Sequence, residues 1–312
     1  MRQVKTVPPL HDVDVRLLRL FKAVVESEGF AAAEETLGVG RSTISKHVAD
    51  LEARLGVRLC ERGRSGFKTT PHGRVVYDAT LELLDALDTF RTQVSTAKGR
   101  IFGSVSLWVM DNTLHEAGNP LGAALRKFLD RPGNVELNLN AAAPVAVEEA
   151  VATRRANVGL TIVRSDVPGL IYMPIGREST SLYCGVDHEL ALHRPRGDVT
   201  EAELQNADFI TRGYLRSRMT LHGWQGSSTA VAYHVEGTVQ LILTGRFIGV
   251  LPDHIAKPWV NMGKMVRLQV PAAVAETPMC VVVREKSLAI PTIAALVEDL
   301  TAAYENANGV QR

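Results

Sequence analysis

The chain has 312 residues, 46% of them hydrophobic and 22% charged, a balance that excludes a disordered polyelectrolyte and allows two or three compact domains. The opening MRQVKTVPPLHDVDVR has no signal-peptide core, no run of about 18 apolar residues offers a membrane span, and Cys60, Cys184 and Cys280 lack C-x-x-C or Cys/His zinc spacing. A net charge of +1 excludes a uniformly basic coat, yet residues 40–74 hold eight Lys/Arg against three Asp/Glu and no other segment is basic.

From the N-terminus, DVRLLRLFKAVVES (14–27) places Val15, Leu18, Phe21 or Lys22, and Val25 on a helical stripe, with Gly29 as its stop. AAAEETLG (31–38) predicts a short alanine-rich helix ended by Gly38. Ile44, Val48, Leu51 and Leu55 then recur at steps of four, three and four, and Gly56 closes the helix. Ser42, Thr43, Ser45 and Lys46 are left near the opposite side of its first turns. Helix, short helix, turn and polar-fronted helix is the plan of a helix-turn-helix unit, whose second helix enters the major groove with its N-terminal residues. Arg41, Ser42, Thr43 and Ser45 are therefore the candidates for base edges, because small hydroxyl side chains permit close approach. VRLCERGRSGFKTT (57–70) predicts two short strands around a Gly/Ser tip, a wing whose Arg62, Arg64 and Lys68 join Lys46 as phosphate contacts.

In residues 74–98, Val76, Leu83, Leu87, Phe90 and Val94 form a longer helical seam that calls for a partner helix, so dimerisation is expected there. After Gly99 the pattern changes. SVSLWVM, VELNLN and VGLTIV read as strands separated by the helical stretches NPLGAALRKFL and AVEEAVATRR. A second set follows: LYCGV, DFITRG, TAVAYHVE, the helix GTVQLILTG, FIGVLP, then MCVVVR and a closing helix IPTIAALVEDLTAAYE. Strands alternating with helices predict parallel α/β construction.

With these residues in view, the chain resembles the LysR-type transcriptional regulators over nearly its whole length. The resemblance is carried by LLRLFKAVVESEGFAAAEETLGVGRSTISKHVADLEARLGVRLCERGR and the following TTPHG, and later by HELA (188–191), EGTVQLILTGRFIGVLP (236–252) and the helix after VVVREKS. It implies a winged helix-turn-helix domain over 11–70, a linker and dimerisation helix over 71–100, and an effector-binding domain over 101–312 similar to periplasmic binding proteins. Within the last, subdomain I takes about 101–165 and 273–305 and subdomain II about 170–268, with crossings near 165–170 and 268–274. The implied partners are a double-stranded operator with a partial dyad, a small-molecule effector, and further copies of the chain in a dimer or tetramer. Carried over residue by residue, the resemblance places the effector at Asp111, Asn112, Thr113, Ala142, Ala143, Thr161, Arg212, Gly213 and Tyr214. A small organic acid, aromatic or hydroxylated, is expected, with Arg212 pairing its carboxylate and Tyr214 packing on its body. Asp111 opposes a simple anion, and is expected to pair with Arg212 or to accept from a ligand hydroxyl or amine. Three positions depart from the family pattern: Cys60 for the usual Phe, Asn157 for Asp, and Arg41 for Gln, where Arg favours a guanine edge and Gln an adenine.

Rival chemistries fare poorly. The histidines of HELALH (188–193) are five apart, not the four that would share a zinc-binding helix face. GVGRST lacks the last glycine of a dinucleotide loop and follows no strand. Asp111, His115, Glu236 and His254 supply neither nucleophile nor metal spacing, so no enzyme, metal or cofactor is expected. A small-molecule binding protein without a regulatory role is the remaining alternative, and the basic helix-turn-helix would have no use in it. A cytoplasmic protein with reduced, structural cysteines and no membrane partner is expected.

Overall fold

The computed structural model describes residues 9–63, 66–96, 101–111, 113, 118–162, 167–193, 199–213, 228–270 and 274–309, and the chain divides into two compact units, Met1–Phe90 and Arg91–Arg312. The first unit contains α1 (Asp12–Glu26), α2 (Phe30–Leu37), α3 (Arg41–Leu55), a hairpin of β1 (Cys60–Gly63) and β2 (Gly66–Thr69), and the opening turns of α4 (Pro71–Thr96). α1 buries Leu17, Leu18, Phe21 and Val24, while Val15 and Val25 are half-buried. The buried face is thus rotated from the expected stripe, because α1 packs against both α2 and α3. Ile44, Val48 and Leu51 of α3 are fully buried, with Cys60 in the same core.

α4 does two jobs along its length. Tyr77 and Leu81 complete the core of the first unit and Val76 and Leu83 pack against it, whereas Phe90 and Val94 are 65% and 53% exposed. The seam expected to serve a partner helix throughout is therefore divided, its first half being covered by its own domain. The TTPHG segment explains how α4 is attached. Thr70 Oγ donates to Arg58 O at 2.6 Å and accepts from Gly73 N at 2.9 Å, and Pro71 fills the first helical position, where a missing N–H costs nothing. Gly73 sits so close to the wing that an added Cβ would lie 2.0 Å from Leu59 O.

The second unit runs β3 (Ile101–Met110), α5 (Pro120–Leu129), β4 (Gly133–Ala142), α6 (Pro144–Ala152), β5 (Val158–Ile162), β6 (Leu170–Gly185), α7 (Glu189–His193), α8 (Glu201–Gln205), β7 (Phe209–Arg212), β8 (Ser228–Ala232), α9 (Val235–Leu243), β9 (Ile248–Pro252), α10 (Asp253–Asn261), β10 (Met265–Arg267), β11 (Ala275–Arg284) and α11 (Pro291–Gly309). The strands form one sheet in the order β4-β3-β5-β11-β6-β9-β7-β8, with β10 paired to β6. β3 pairs parallel with β4 and β5, and β7 parallel with β8 and β9, as βαβ construction requires. The expectation of purely parallel pairing fails in the middle, where β11 runs antiparallel to β5 and β6, and β6 antiparallel to β9.

Side-chain alternation on these strands builds separate cores. Val105, Leu107 and Val109 of β3 join Phe128 and Leu296 beneath α5 and α11, while Trp108 turns to the α6 face. Farther along the sheet, Tyr183 faces α9 and α10, and Leu182 and Cys184 face α7 and α8. β6 passes from the first set of cores to the second between Ile175 and Leu182. The first crossing therefore lies inside a strand, later than the expected 165–170, and the return falls between Leu268 and Met279. Asp299, fully buried on α11, binds Arg131 at 2.7 Å and Lys127 at 2.9 Å; burial works against its charge, but these two cations outweigh it and hold the carboxyl below its usual range. Asn157, where the resemblance has Asp, accepts from Ser106 N at 2.7 Å, a job that needs an oxygen and not a charge. Among the described residues no helix is long and apolar enough to cross a membrane, and Cys60, Cys184 and Cys280 are all buried.

Replacing Gly73 by Ala forces Leu59 or α4 to move, so Gly73→Ala is expected to destabilise the first unit by about 1–3 kcal/mol. In a urea titration the midpoint falls while the slope is unchanged.

Candidate functional site

α3 is placed by three constraints before any of its exposed residues act. Its apolar face is sealed in the core, Arg54 forms a two-pronged ion pair with Asp14 of α1, and Glu52 Oε1 accepts from Leu59 N at 2.7 Å and Cys60 N at 3.1 Å. Asp14 is 4% exposed and also accepts from His11 N at 2.8 Å. The Arg54 guanidinium first, then the His11 amide, hold its carboxyl below the ordinary range despite burial. α3 is thereby fastened through its last turn both to α1, at Arg54, and to the wing, at Glu52.

The opposite face is left to solvent. Arg41, Ser42, Thr43 and Lys46 are exposed on the first two turns, and Ser45 is half-buried and engaged in a further interaction. Gly40 caps the helix without a side chain, and its carbonyl accepts from Thr43 N at 2.9 Å and Ile44 N at 3.1 Å. Lys68 is exposed on β2, and Arg62 lies on β1 opposite Phe67. Arg64, and the side chain of Arg62, lie outside the described residues.

In the second unit, the register brings the expected effector residues to one end of the sheet. Met110 pairs with Ala142 and Val109 with Leu160, which sets Asp111, Ala142, Ala143 and Thr161 at neighbouring C-terminal strand ends. Arg212 pairs with Ala232, so Gly213 and Tyr233 follow side by side in the other subdomain. A cleft between C-terminal strand ends is where open α/β sheets bind ligands. Thr113 is 7% exposed; Thr161 is fully buried and its hydroxyl donates to Pro144 O at 3.3 Å, which spends it on the protein itself. Ala143 caps α6, and Pro144 at the first helical position has no N–H to offer a ligand. Asn112 and Tyr214 lie outside the described residues.

Two residues not foreseen from the sequence, Tyr233 and His234, stand beside these strand ends. Asp111 Oδ2 accepts from Val235 N at 2.7 Å, at the start of α9, and lies 3.4 Å from His234 Nδ1. Tyr233, 64% exposed, rests on Gly213, where an added Cβ would be 2.4 Å from the ring. Their only sequence signal is the Tyr233-His234 pair between an apolar strand and a helix. His188 of HELALH is no metal ligand: it is buried, and its Nδ1 accepts from Leu190 N at 3.0 Å to start α7. Among the described residues no group of His, Cys, Asp and Glu could hold a metal ion.

Residues 15–74 match the profile described as bacterial regulatory helix-turn-helix protein, lysR family, and residues 115–305 match that of the LysR substrate binding domain. The chain belongs to the LysR family of transcriptional regulators. It is similar to the HTH-type transcriptional activator BauR of Pseudomonas aeruginosa, with 39% identity over 255 residues, 81% of this chain and 83% of that one. In fold it is similar to ArgP from Mycobacterium tuberculosis, at a TM-score of 0.62 and 19% identity over 92% of this chain and 96% of that one. A full-length OxyR variant from Pseudomonas aeruginosa is likewise similar, at a TM-score of 0.64 and 17% identity over 95% of both chains. As a LysR-type protein the chain is a DNA-binding regulator that responds to a small molecule, and its two units are the helix-turn-helix and effector-binding parts of that plan.

The Asp14–Arg54 pair has a pH signature. A carboxyl whose folded pKa is depressed stabilises the fold above its unfolded value of about 3.9, and the contribution is lost as pH falls through the folded value. Asp14→Asn is expected to melt lower than wild type at pH 7, and the two proteins are expected to converge as the pH is taken below about 4, as read from thermal unfolding followed by circular dichroism.

Proposed function

We propose that this LysR-type regulator reads a partly dyadic operator through α3, in the cytoplasm, as a dimer or tetramer, and that a small organic acid in the cleft of the second unit controls it. The observation that carries the DNA reading is the division of α3 into a fully buried apolar face and an exposed polar start bearing Arg41, Ser42, Thr43 and Lys46. Arg41, Ser42, Thr43 and Ser45 meet base edges. Lys46, Arg62, Arg64 and Lys68 neutralise phosphates, adding affinity and salt dependence without sequence choice. The exposed Phe90 and Val94 on α4 support pairing between copies, since a helix that leaves such side chains uncovered gains by burying them against its symmetry mate. Paired recognition helices then call for half-sites about one DNA turn apart.

The effector reading rests on strand ends gathered at one place. Asp111, Thr113, Ala142 and Ala143 on one side and Arg212, Gly213, Tyr233 and His234 on the other are the described residues of this reading, and Asn112 and Tyr214 are its remaining candidates. Thr161 supports the first side from below. Arg212 offers a guanidinium suited to a carboxylate. Binding across the two sides would change the balance between subdomain arrangements and hence the spacing of the DNA-binding heads.

Footprinting on the DNA upstream of the gene tests the DNA reading. Arg41→Ala is expected to cost ~1–3 kcal/mol and to relax preference at one base position, while Lys68→Ala weakens all sequences alike and lowers the salt slope by about one. Full affinity with unchanged preference in Arg41→Ala would remove that residue from the interface.

A further inference from the structure

We propose that the two halves of the second unit bend against each other at a two-stranded neck in the β6–β11 ladder, and that Asp253 clamps one end of this neck through Ser179. The proposal concerns the frame alone and assumes nothing about a ligand.

The neck follows from where the pairings stop. β5 pairs with β11 only from Met279 to Val283, and β9 pairs with β6 only from Thr180 to Cys184. Between these limits Arg177, Glu178 and Ser179 of β6 face Pro278, Thr277 and Glu276 of β11, and among the described pairings neither strand has a second neighbour there. A ladder of two strands without flanking strands is marginal by itself and twists more than a wider sheet. Local chemistry weakens it further. Pro278 has no N–H to donate, a bulge at Met279/Cys280 interrupts the register at one end, and Pro174, opposite Cys280, lacks an N–H just beyond it. The ion pair of Arg177 with Glu276, 2.9 Å long, is 58% and 60% exposed and adds little. None of the six residues belongs to the hydrophobic cores on either side.

At its other end the neck meets the clamp. Side chains two apart on a strand share a face, and Ser179 and Tyr183 both turn their hydroxyls to Asp253, the first residue of α10. Ser179 Oγ donates to Oδ2 at 2.9 Å and Tyr183 OH donates to Oδ1 at 2.8 Å. Burial works against the Asp253 charge, but the hydroxyls around it and the nearby Arg267 outweigh burial and hold the carboxyl below its usual range. Both bonds therefore end on an ionised group, which makes them stronger than bonds between neutral partners. Tyr183 is buried in the core beneath α9 and α10, so Asp253 is anchored in one half, while Ser179 is the last residue of the neck. Thr180, the next residue, opens the pairing with β9 opposite Pro252. Bending is thus confined to the neck and stops where Asp253 holds β6 to α10.

Hydrogen exchange on the full chain without added ligand, read by mass spectrometry of overlapping peptides, tests both parts. Amides of 177–179 are expected to exchange about tenfold or more faster than those of 171–173 and 281–283 in the same ladder. Ser179→Ala removes one hydroxyl and leaves Tyr183 on Asp253; it is expected to extend the fast region into 180–182, by about tenfold, with 171–173 and 281–283 unchanged. Asp253→Asn, which keeps an acceptor but no charge, is expected to do the same. Arg177→Ala, in the neck but outside the clamp, is expected to leave 180–182 as in wild type. Equal protection from 171 to 183 would overturn the neck. A fast region that still ends at 179 in Ser179→Ala, a rise spread evenly over the second unit, or an equal rise at 180–182 in Arg177→Ala would overturn the clamp.

Discussion

Two strands, β6 and β11, belong to both subdomains of the second unit, and the placement of every other strand follows from their antiparallel ladder. From Leu170–Arg284 to Thr180–Ala275 the ladder is continuous apart from one bulge at Met279/Cys280. β5 and β3 build outward from β11 on one side, and β9 and β7 from β6 on the other. The end of β3 in one half thus meets the start of α9, which follows β8, in the other. Because the ladder's backbone hydrogen bonds run through the crossing, the halves are joined by ordered strands and not by loose linkers, so a rearrangement between them must work by twisting or bending those strands. Against that ladder, Asp111 adds a bond between the end of β3 and the start of α9, residues 124 positions apart.

The first unit solves a different problem. A recognition helix must expose polar residues at its start while its orientation stays fixed, because an error of orientation in the groove misplaces every base contact. The sealed face of Ile44, Val48 and Leu51 fixes its depth; Asp14–Arg54 and the Glu52 contacts to Leu59 and Cys60 fix its rotation and tie it to the wing. Thr70 and Gly73 then couple the wing to α4. None of these residues carries sequence information about DNA, and each decides where those that do are held.

Much of this was legible in the chain itself. The four-three-four spacing of Ile44, Val48, Leu51 and Leu55 and the glycines after each helix announce the helix-turn-helix, since one buried face and left-handed caps at Gly38 and Gly56 leave direct marks. The crossing in β6 leaves none: PIGREST carries a proline, a glycine and four charged or hydroxyl positions in a row, which reads as loop although it forms the shared strand. α10 was missed because Pro258 sits inside it, and β10 because three residues carry no period. The α4 seam was read as one surface, but periodicity does not tell a residue's own core from a partner's, and Tyr77 and Leu81 belong to the former. Among the expected effector residues, strand ends are foreseeable from topology, whereas the Asp111 contact to His234 and Val235 arises only when distant segments meet.

On the proposed reading, a small molecule acts at the strand ends of the second unit. Hydrogen exchange on the full chain, with and without a bound ligand, measures it most directly. Protection is expected to rise at the amides following β3 and β7 and at the start of α9, Val235 included, with the buried strand centres unchanged. Protection confined to α5 and α11, with the Val235 region unaffected, would contradict it.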